Sequence, residues 1–191
     1  GASQAKLALI AAEAERLGEL VTVMLDLARS DAGRLTLELA TLDPELVLVD
    51  AYERLQALAP DRLRLAPPSE AEFRHINADA ERVQQCLAAL VDNALRYSPG
   101  IVQLALSASG DGVSLHVTDQ GPGIPEAERD QVLQRFVRGS TAIGTRGSGI
   151  GLATVSLLME AMQGELRIGD APGGGADMRL RFKLSDRPPA P

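Results

Sequence analysis

The chain has no tryptophan and only three phenylalanines, two tyrosines, two histidines and one cysteine among its 191 residues. Each scarcity closes off a class of answer. The single cysteine, Cys86, excludes a disulfide framework, and its place inside a helical apolar pattern reads as an unpaired buried thiol suited to a reducing compartment. Positive charge is also short, with 19 Lys and Arg against 26 Asp and Glu, a net charge of −7 and a pI near 4.9. Without a basic stripe, and with so few rings for base stacking, no nucleic-acid surface is expected. No apolar run approaches the roughly 18 residues of a membrane span, and no signal peptide opens the chain. The expectation is therefore a soluble cytoplasmic piece that makes no membrane contact. Gly1-Ala2-Ser3 reads as a cloning remnant, which implies a fragment of something longer.

What is present is a 45% hydrophobic composition, enough for one domain with a full core plus an appendage. From Ala2 to about Asp31 there is no proline, and apolar residues recur in heptads. Leu7, Ala14, Val21 and Ala28 occupy one position and Ile10, Leu17 and Met24 the other. Leu20, Leu25 and Leu27 widen the stripe beyond a two-stranded seam, and a helix this long overhangs a small domain, so a helical bundle with another chain or a further segment is expected.

Ala32-Gly33 ends that helix, and residues 34–39 alternate as a strand. Asp43-Pro44 opens a second helix to about Leu58. Short strands at about 62–65 and 72–77 flank Pro67-Pro68, and Asp79 caps a helix over 80–97. Strands at 102–108 and 113–118 join through Gly110-Asp111-Gly112 as a hairpin. A short helix around 126–134, a Gly, Ser and Thr-rich stretch at 138–148, a helix at 150–162 and strands near 165–168 and 178–184 follow. Interleaved helices with antiparallel hairpins predict an α+β fold, a two-layer sandwich with helices on one face of the sheet. The expected divisions are 1–33 for the helix, 34–185 for the domain and 186–191 for a disordered Pro-rich tail.

Three stretches carry chemistry. In the first, Thr118-Asp119-Gln120-Gly121-Pro122-Gly123-Ile124, a carboxylate ends an apolar strand and two glycines let backbone approach a flat ligand. A carboxylate accepts a hydrogen bond from an exocyclic amino group and repels a carbonyl oxygen, so one buried Asp distinguishes adenine from guanine. The same pattern alone also describes a plain turn. In the second stretch, Asn93, Arg96 and Tyr97 sit with Ala89 on the flank of the helix whose apolar face is Val83, Leu87, Leu90, Val91 and Ala94. An Asn amide oxygen suits Mg²⁺, an Arg three residues on reaches a phosphate, and Tyr97 offers a ring to a base. Taken singly, Asn93 also fits a residue satisfied by neighbouring backbone, and Arg96 a solvated surface charge.

The third stretch, Arg146-Gly147-Ser148-Gly149-Ile150-Gly151-Leu152, opens directly into a helix, and exposed amides at its positive end suit a polyphosphate. A dinucleotide fold would need a strand immediately before it. A P-loop would need a Gly-Lys-Ser or Gly-Lys-Thr step, and the two lysines, Lys6 and Lys183, lie far from any glycine run. Phosphate handling then falls to arginine, amides and metal.

Taken in order, Asn93 to Pro99, Asp119 to Ile124, Arg135-Phe136-Val137-Arg138-Gly139 and Gly147 to Leu152 resemble the ATP-binding catalytic domain of bacterial sensor histidine kinases, over about 35–184. The helix from Glu15-Arg16-Leu17 to Leu25-Asp26-Leu27-Ala28-Arg29 is similar to the second helix of that family's dimerisation hairpin. The resemblance implies a Bergerat-type fold with a mixed sheet, Mg-ATP as ligand, and transfer of the γ-phosphoryl group to a histidine and then to a response-regulator receiver domain. It implies a homodimer through the helices in the intact protein. It assigns Asp119 to the adenine amino group, Asn93 to Mg²⁺, and Arg96 and Arg146 to the phosphates. Gly121, Gly123, Gly147, Gly149 and Gly151 become loop hinges beside Ile124, Ser148, Ile150 and Leu152, and Phe136 and Arg138 belong to a mobile lid.

Two departures from the family pattern matter. Ala89 stands where the family usually has an Asn four residues before the metal-binding one. The phosphoacceptor is missing, since His75 and His116 lie in strands expected inside the nucleotide domain and are read as core or edge residues. Such a fragment binds ATP without a histidine of its own to phosphorylate. The alternatives are an ATPase of the gyrase, mismatch-repair or heat-shock chaperone type, which needs a Glu at position 89 to activate water, and a nucleotide-sensing or anti-sigma serine-kinase-like module. The heptad helix favours the histidine kinase.

Overall fold

The computed structural model describes Gly18, Val21, Leu25, Ala28 and residues 35–67, 75–134, 137 and 151–185. The chain divides into two compact units, Gly1–Thr36 and Leu37–Pro191. In the first, Gly18, Val21, Leu25 and Ala28 are helical and residues 35–36 are not, and Val21 and Leu25 are half exposed, at 55% and 50%. The other expected seam positions, Leu7, Ile10, Ala14, Leu17 and Met24, lie outside the described residues.

In the second unit, β1 (Ala40–Leu42) pairs antiparallel with β3 (Ile76–Ala78) as a separate two-stranded sheet. The main sheet has the order β2-β4-β5-β7-β6, built from β2 (Leu63–Leu65), β4 (Val102–Ser109), β5 (Gly112–Thr118), β6 (Glu165–Asp170) and β7 (Ala176–Lys183). β2 runs parallel to β4 and every other pairing is antiparallel, so the sheet is mixed as expected. The helices are α1 (Pro44–Leu55), α2 (Ala80–Tyr97), the single turn α3 (Arg129–Val132) and α4 (Gly151–Ala161).

Register explains the two faces of this sheet. Leu115 on β5 stands opposite Leu106 on β4 and Leu180 on β7, while Val117 stands opposite Leu104 and Met178. These side chains alternate with Ser114, His116 and Thr118, which point the other way. Leu104, Leu115 and Leu180 are fully buried and Phe182 is 2% exposed, each contributing on the order of 1.5–3 kcal/mol of burial. α1, α2 and α4 supply the facing apolar layer.

α1 starts at Asp43, whose Oδ1 accepts hydrogen bonds from the amides of Glu45 at 2.8 Å and Leu46 at 3.4 Å, with Pro44 in its first turn. α2 is bolted to α1 by Gln84, whose Nε2 donates to the Val47 carbonyl at 2.9 Å and to Asp50 at 3.1 Å. Val83, Cys86, Leu87, Leu90, Val91 and Ala94 form its buried stripe, at the i, i+3, i+4 spacing of an amphipathic helix.

Several expected boundaries move. The strand expected over 34–39 is corrected to Ala40–Leu42. The amide of Glu38 donates to the Asp79 carboxylate at 2.9 Å, so a helix-capping side chain takes the place of a strand partner. The strand expected at 72–77 begins at Ile76, with 72–74 outside the described residues. α1 gives way to a 3₁₀ turn at Gln56–Leu58, and the helix expected around 126–134 is a 3₁₀ turn followed by α3.

Burial pushes the Cys86 thiol up to about 12 despite the nearby Arg82 charge, so at neutral pH it is neutral and unreactive. Native protein should resist iodoacetamide at pH 8 and take up one equivalent in denaturant; rapid alkylation of the folded chain would contradict the packing of α2.

Candidate functional site

Asp119 lies just past β5 and is 7% exposed. Its Oδ1 accepts from the amide of Gly121 at 2.7 Å and from that of Ala176 at 3.3 Å, and its own amide donates to the Ala176 carbonyl at 3.0 Å. Two turns distant in sequence thus hold one carboxylate oxygen. Oδ2 accepts no hydrogen bond among the described residues and remains for a ligand.

The glycines around it are there for space. A Cβ on Gly121 would stand 2.9 Å from Asp119 Oδ1 and 3.0 Å from the Tyr97 carbonyl, and one on Gly123 would stand 3.2 Å from the Gly175 carbonyl. Gly175 is the tightest. Its φ is +97°, and a Cβ would collide with the Asp119 backbone, 2.7 Å from the carbonyl carbon. Gly175, at the end of the glycine run between β6 and β7, is therefore part of the site.

α2 delivers Asn93 and Tyr97, both half buried, and Arg96 at its last turn. Arg96 Nη2 pairs with Asp92 at 2.5 Å, with the carboxylate side chain 65% exposed. Such a surface i, i+4 pair is worth roughly 0.2–1 kcal/mol, which a phosphate dianion readily outcompetes. Ala89 is half buried one turn before Asn93 and presents no polar atom. Among the described residues, no three His, Cys, Asp or Glu side chains converge to hold a metal. The donor offered is the neutral amide oxygen of Asn93, a fit for Mg²⁺ only when phosphate oxygens and water complete the shell.

Ile124 is half buried, and its carbonyl accepts from Arg129 Nε at 3.1 Å, while Arg129 Nη2 pairs with Asp170 at 2.6 Å. The exit of the Asp119 loop is pinned to the end of β6 in this way. Gly151 opens α4 exposed, and Leu152 is half buried behind it. Phe136, Arg138, Arg146, Gly147, Ser148, Gly149 and Ile150 lie outside the described residues. His75 precedes β3, with its carbonyl accepting from the Ser185 amide at 2.7 Å, and His116 is a half-buried residue of β5.

Two positioning residues escape a reading of the motifs. Ser98 Oγ accepts from the amides of Gly100 and Gln120, each at 3.2 Å, tying the end of α2 to the Asp119 loop. Arg62, just ahead of β2, donates from Nε to the Gly100 carbonyl at 3.1 Å, from both Nη atoms to the Leu95 carbonyl at 3.4 Å, and to the Ser98 carbonyl. It satisfies the carbonyls that α2 leaves open at its C-terminus. Its partners are 33–38 residues away, so no local pattern marks it.

Residues 78–186 match the histidine kinase-, DNA gyrase B-, and HSP90-like ATPase family. The chain belongs to this family. The matched span contains Asn93, Asp119 and the glycine turns, and its curated relatives are sensor histidine kinases, which makes this a sensor-kinase type of catalytic domain. The chain is 38% identical over 169 residues to the probable sensor histidine kinase TcrY of Mycobacterium tuberculosis, covering 86% of this chain and 35% of that protein. It is 39% identical over 170 residues to the sensor protein KdpD of Rathayibacter rathayi, covering 88% of this chain and 20% of that one. The crystal structure of full-length ShkA in complex with AMPPNP aligns with a TM-score of 0.74 at 32% identity, over 89% of this chain and 36% of that one. The chain thus spans a fifth to about a third of the curated relatives just named.

Gly175→Ala should destabilise the kinase domain by about 1–3 kcal/mol. Gly173→Ala, also at positive φ (+90°) but with nothing within 4 Å of its Cβ, should cost less. Urea unfolding of both separates crowding against Asp119 from backbone strain, and equal losses would discount the crowding.

Proposed function

We propose that this chain binds Mg-ATP and presents its γ-phosphoryl group to a histidine on a dimerisation helix pair, from which it passes to a response-regulator aspartate. One observation carries this reading: Asp119 is buried, oriented through one oxygen by two amides, and left with the other for an amino group. Residues 1–33 serve as one dimerisation helix of a cytoplasmic homodimeric kinase portion, and 34–185 as the catalytic domain.

The chemistry asks little covalent work of the protein. A neutral imidazole nitrogen attacks the γ-phosphorus, the bond to the bridging oxygen breaks, and charge collects on the β-phosphate. Asn93 would hold Mg²⁺, which offsets phosphate charge. Arg96 at the end of α2, Arg146 and the amides of Gly147, Gly149 and Gly151 take the remaining charge. Tyr97 and Ile124 flank the base, and Phe136, Arg138, Ser148, Ile150 and Leu152 complete the set of nucleotide-binding residues.

Hydrolysis is disfavoured by the same helix. A water-activating base at position 89 is missing because alanine has no proton acceptor. Transfer to an imidazole needs no such base.

ATP with Mg²⁺ should bind at micromolar to millimolar strength and GTP at least about tenfold more weakly. Asp119→Asn should stay folded, because an amide oxygen still accepts from Gly121 and Ala176, while its NH₂ now opposes the adenine amino group. Calorimetry on both nucleotides and the variant checks this, and equal affinities or normal binding by the variant would remove the adenine assignment.

Transfer itself is read by mixing the fragment with the separate His-bearing helix pair and labelled ATP. Acid-labile, base-stable phosphate should appear on that partner; release of inorganic phosphate alone would transfer the chain to the ATPase class.

A further inference from the structure

The sheet face opposite the helices carries a cluster that nucleotide binding does not use. Ser107 on β4, His116 on β5 and Asp177 on β7 come from three adjacent strands. Register brings them together: His116 stands opposite Ala105 and Arg179, so Ser107 and Asp177 are its neighbours two residues along on either side. Ser107 Oγ lies 2.7 Å from His116 Nε2, and His116 Nδ1 lies 3.0 Å from Asp177 Oδ1.

The direction of these bonds follows from charge. Asp177 is 5% exposed at its side chain, and its second oxygen accepts from Arg179 Nε at 2.7 Å. Burial raises its pKa, but the hydrogen bonds and charges of His116 and Arg179 outweigh it and hold the carboxyl below its ordinary value. An ionised carboxylate beside Nδ1 can only accept, so Nδ1 carries a proton. In the neutral ring with that tautomer, Nε2 presents a lone pair to which the Ser107 hydroxyl, 2.7 Å away, can donate. Exposure grades outward from the carboxylate through His116, 15% exposed at its side chain, to the exposed serine. This is the order in which a base-activated nucleophile meets a substrate.

The three residues line a cavity of about 360 Å³ whose wall includes the apolar Ile101, Ala105 and Pro172 and also Asp119, a size that suits a small ligand. We propose that Ser107 is a nucleophilic serine, activated by His116 and Asp177, that takes the acyl group of small activated esters. Oγ forms the bond to the carbonyl carbon as its proton passes to Nε2. The bond from that carbon to the leaving oxygen then breaks, and the imidazolium returns the proton to the departing alkoxide or phenoxide. The products are an O-acyl serine and a free alcohol or phenol.

The test uses p-nitrophenyl acetate on the whole chain, with acetylated residues located by peptide mass spectrometry. Ser109, exposed on the same strand, is the internal reference. Ser107 should acetylate at least about tenfold faster than Ser109, and His116→Ala should bring it down to the reference rate. Circular dichroism and urea unfolding report whether that variant is folded. If it is not, Asp177→Asn, which keeps the shape of the carboxylate but lets the ring take its other tautomer, is read in its place and should slow Ser107 by a similar factor. Ser107 reacting no faster than Ser109, or reacting at the wild-type rate in the folded variant, would overturn the proposal.

Discussion

The functional half of this molecule depends on how Asp119 is anchored. A carboxylate removed from water is costly unless its oxygens are satisfied, and here one oxygen is satisfied by amides from two turns that lie 55 positions apart in sequence and meet only because β5 and β7 pair. Hydrogen bonds to a charged acceptor are worth about 1.5–3 kcal/mol each, so the arrangement fixes the direction of the side chain. The free oxygen then points where the fold aims it, without a large entropy cost when a base arrives.

The glycines and the short polar residues around that anchor form a second tier with the same purpose. Gly121 and Gly175 leave out the Cβ that would push the carboxylate away. Ser98 and Arg62 tie the C-terminal end of α2 to the same loop, so Asn93, Arg96 and Tyr97 are held in register with Asp119 although they come from a different layer.

Much of this was legible in the sequence because it is periodic or local. The 3.6-residue spacing from Val83 to Ala94 marked α2 and its buried face, alternation from Val113 to Thr118 marked β5, and the Gly-Pro-Gly step marked Asp119. What was missed lacks a local signature. Glu38 reads as a strand residue until the Asp79 carboxylate claims its amide, and Arg62 reads as the start of a short strand until three distant carbonyls close on it. Gly175 reads as one of three turn glycines, and its contact with Asp119 exists only once β7 is laid beside β5. The family resemblance assigned roles to the motif residues and was silent on these supports.

The β5–β7 register has a further consequence. Ala176, which brackets Asp119, and Asp177, which holds His116, are consecutive residues of β7, so one pairing fixes the Asp119 carboxylate on one side and the polar face on the other. A slip of one residue would exchange the faces, placing Arg179 and Arg181 against the helices and Leu180 and Phe182 in water. At roughly 1.5–3 kcal/mol for each buried side chain exposed, before any charge buried in exchange, that alternative is far above the native pairing. The apolar core on one side of the sheet is therefore what keeps the polar constellation on the other side assembled.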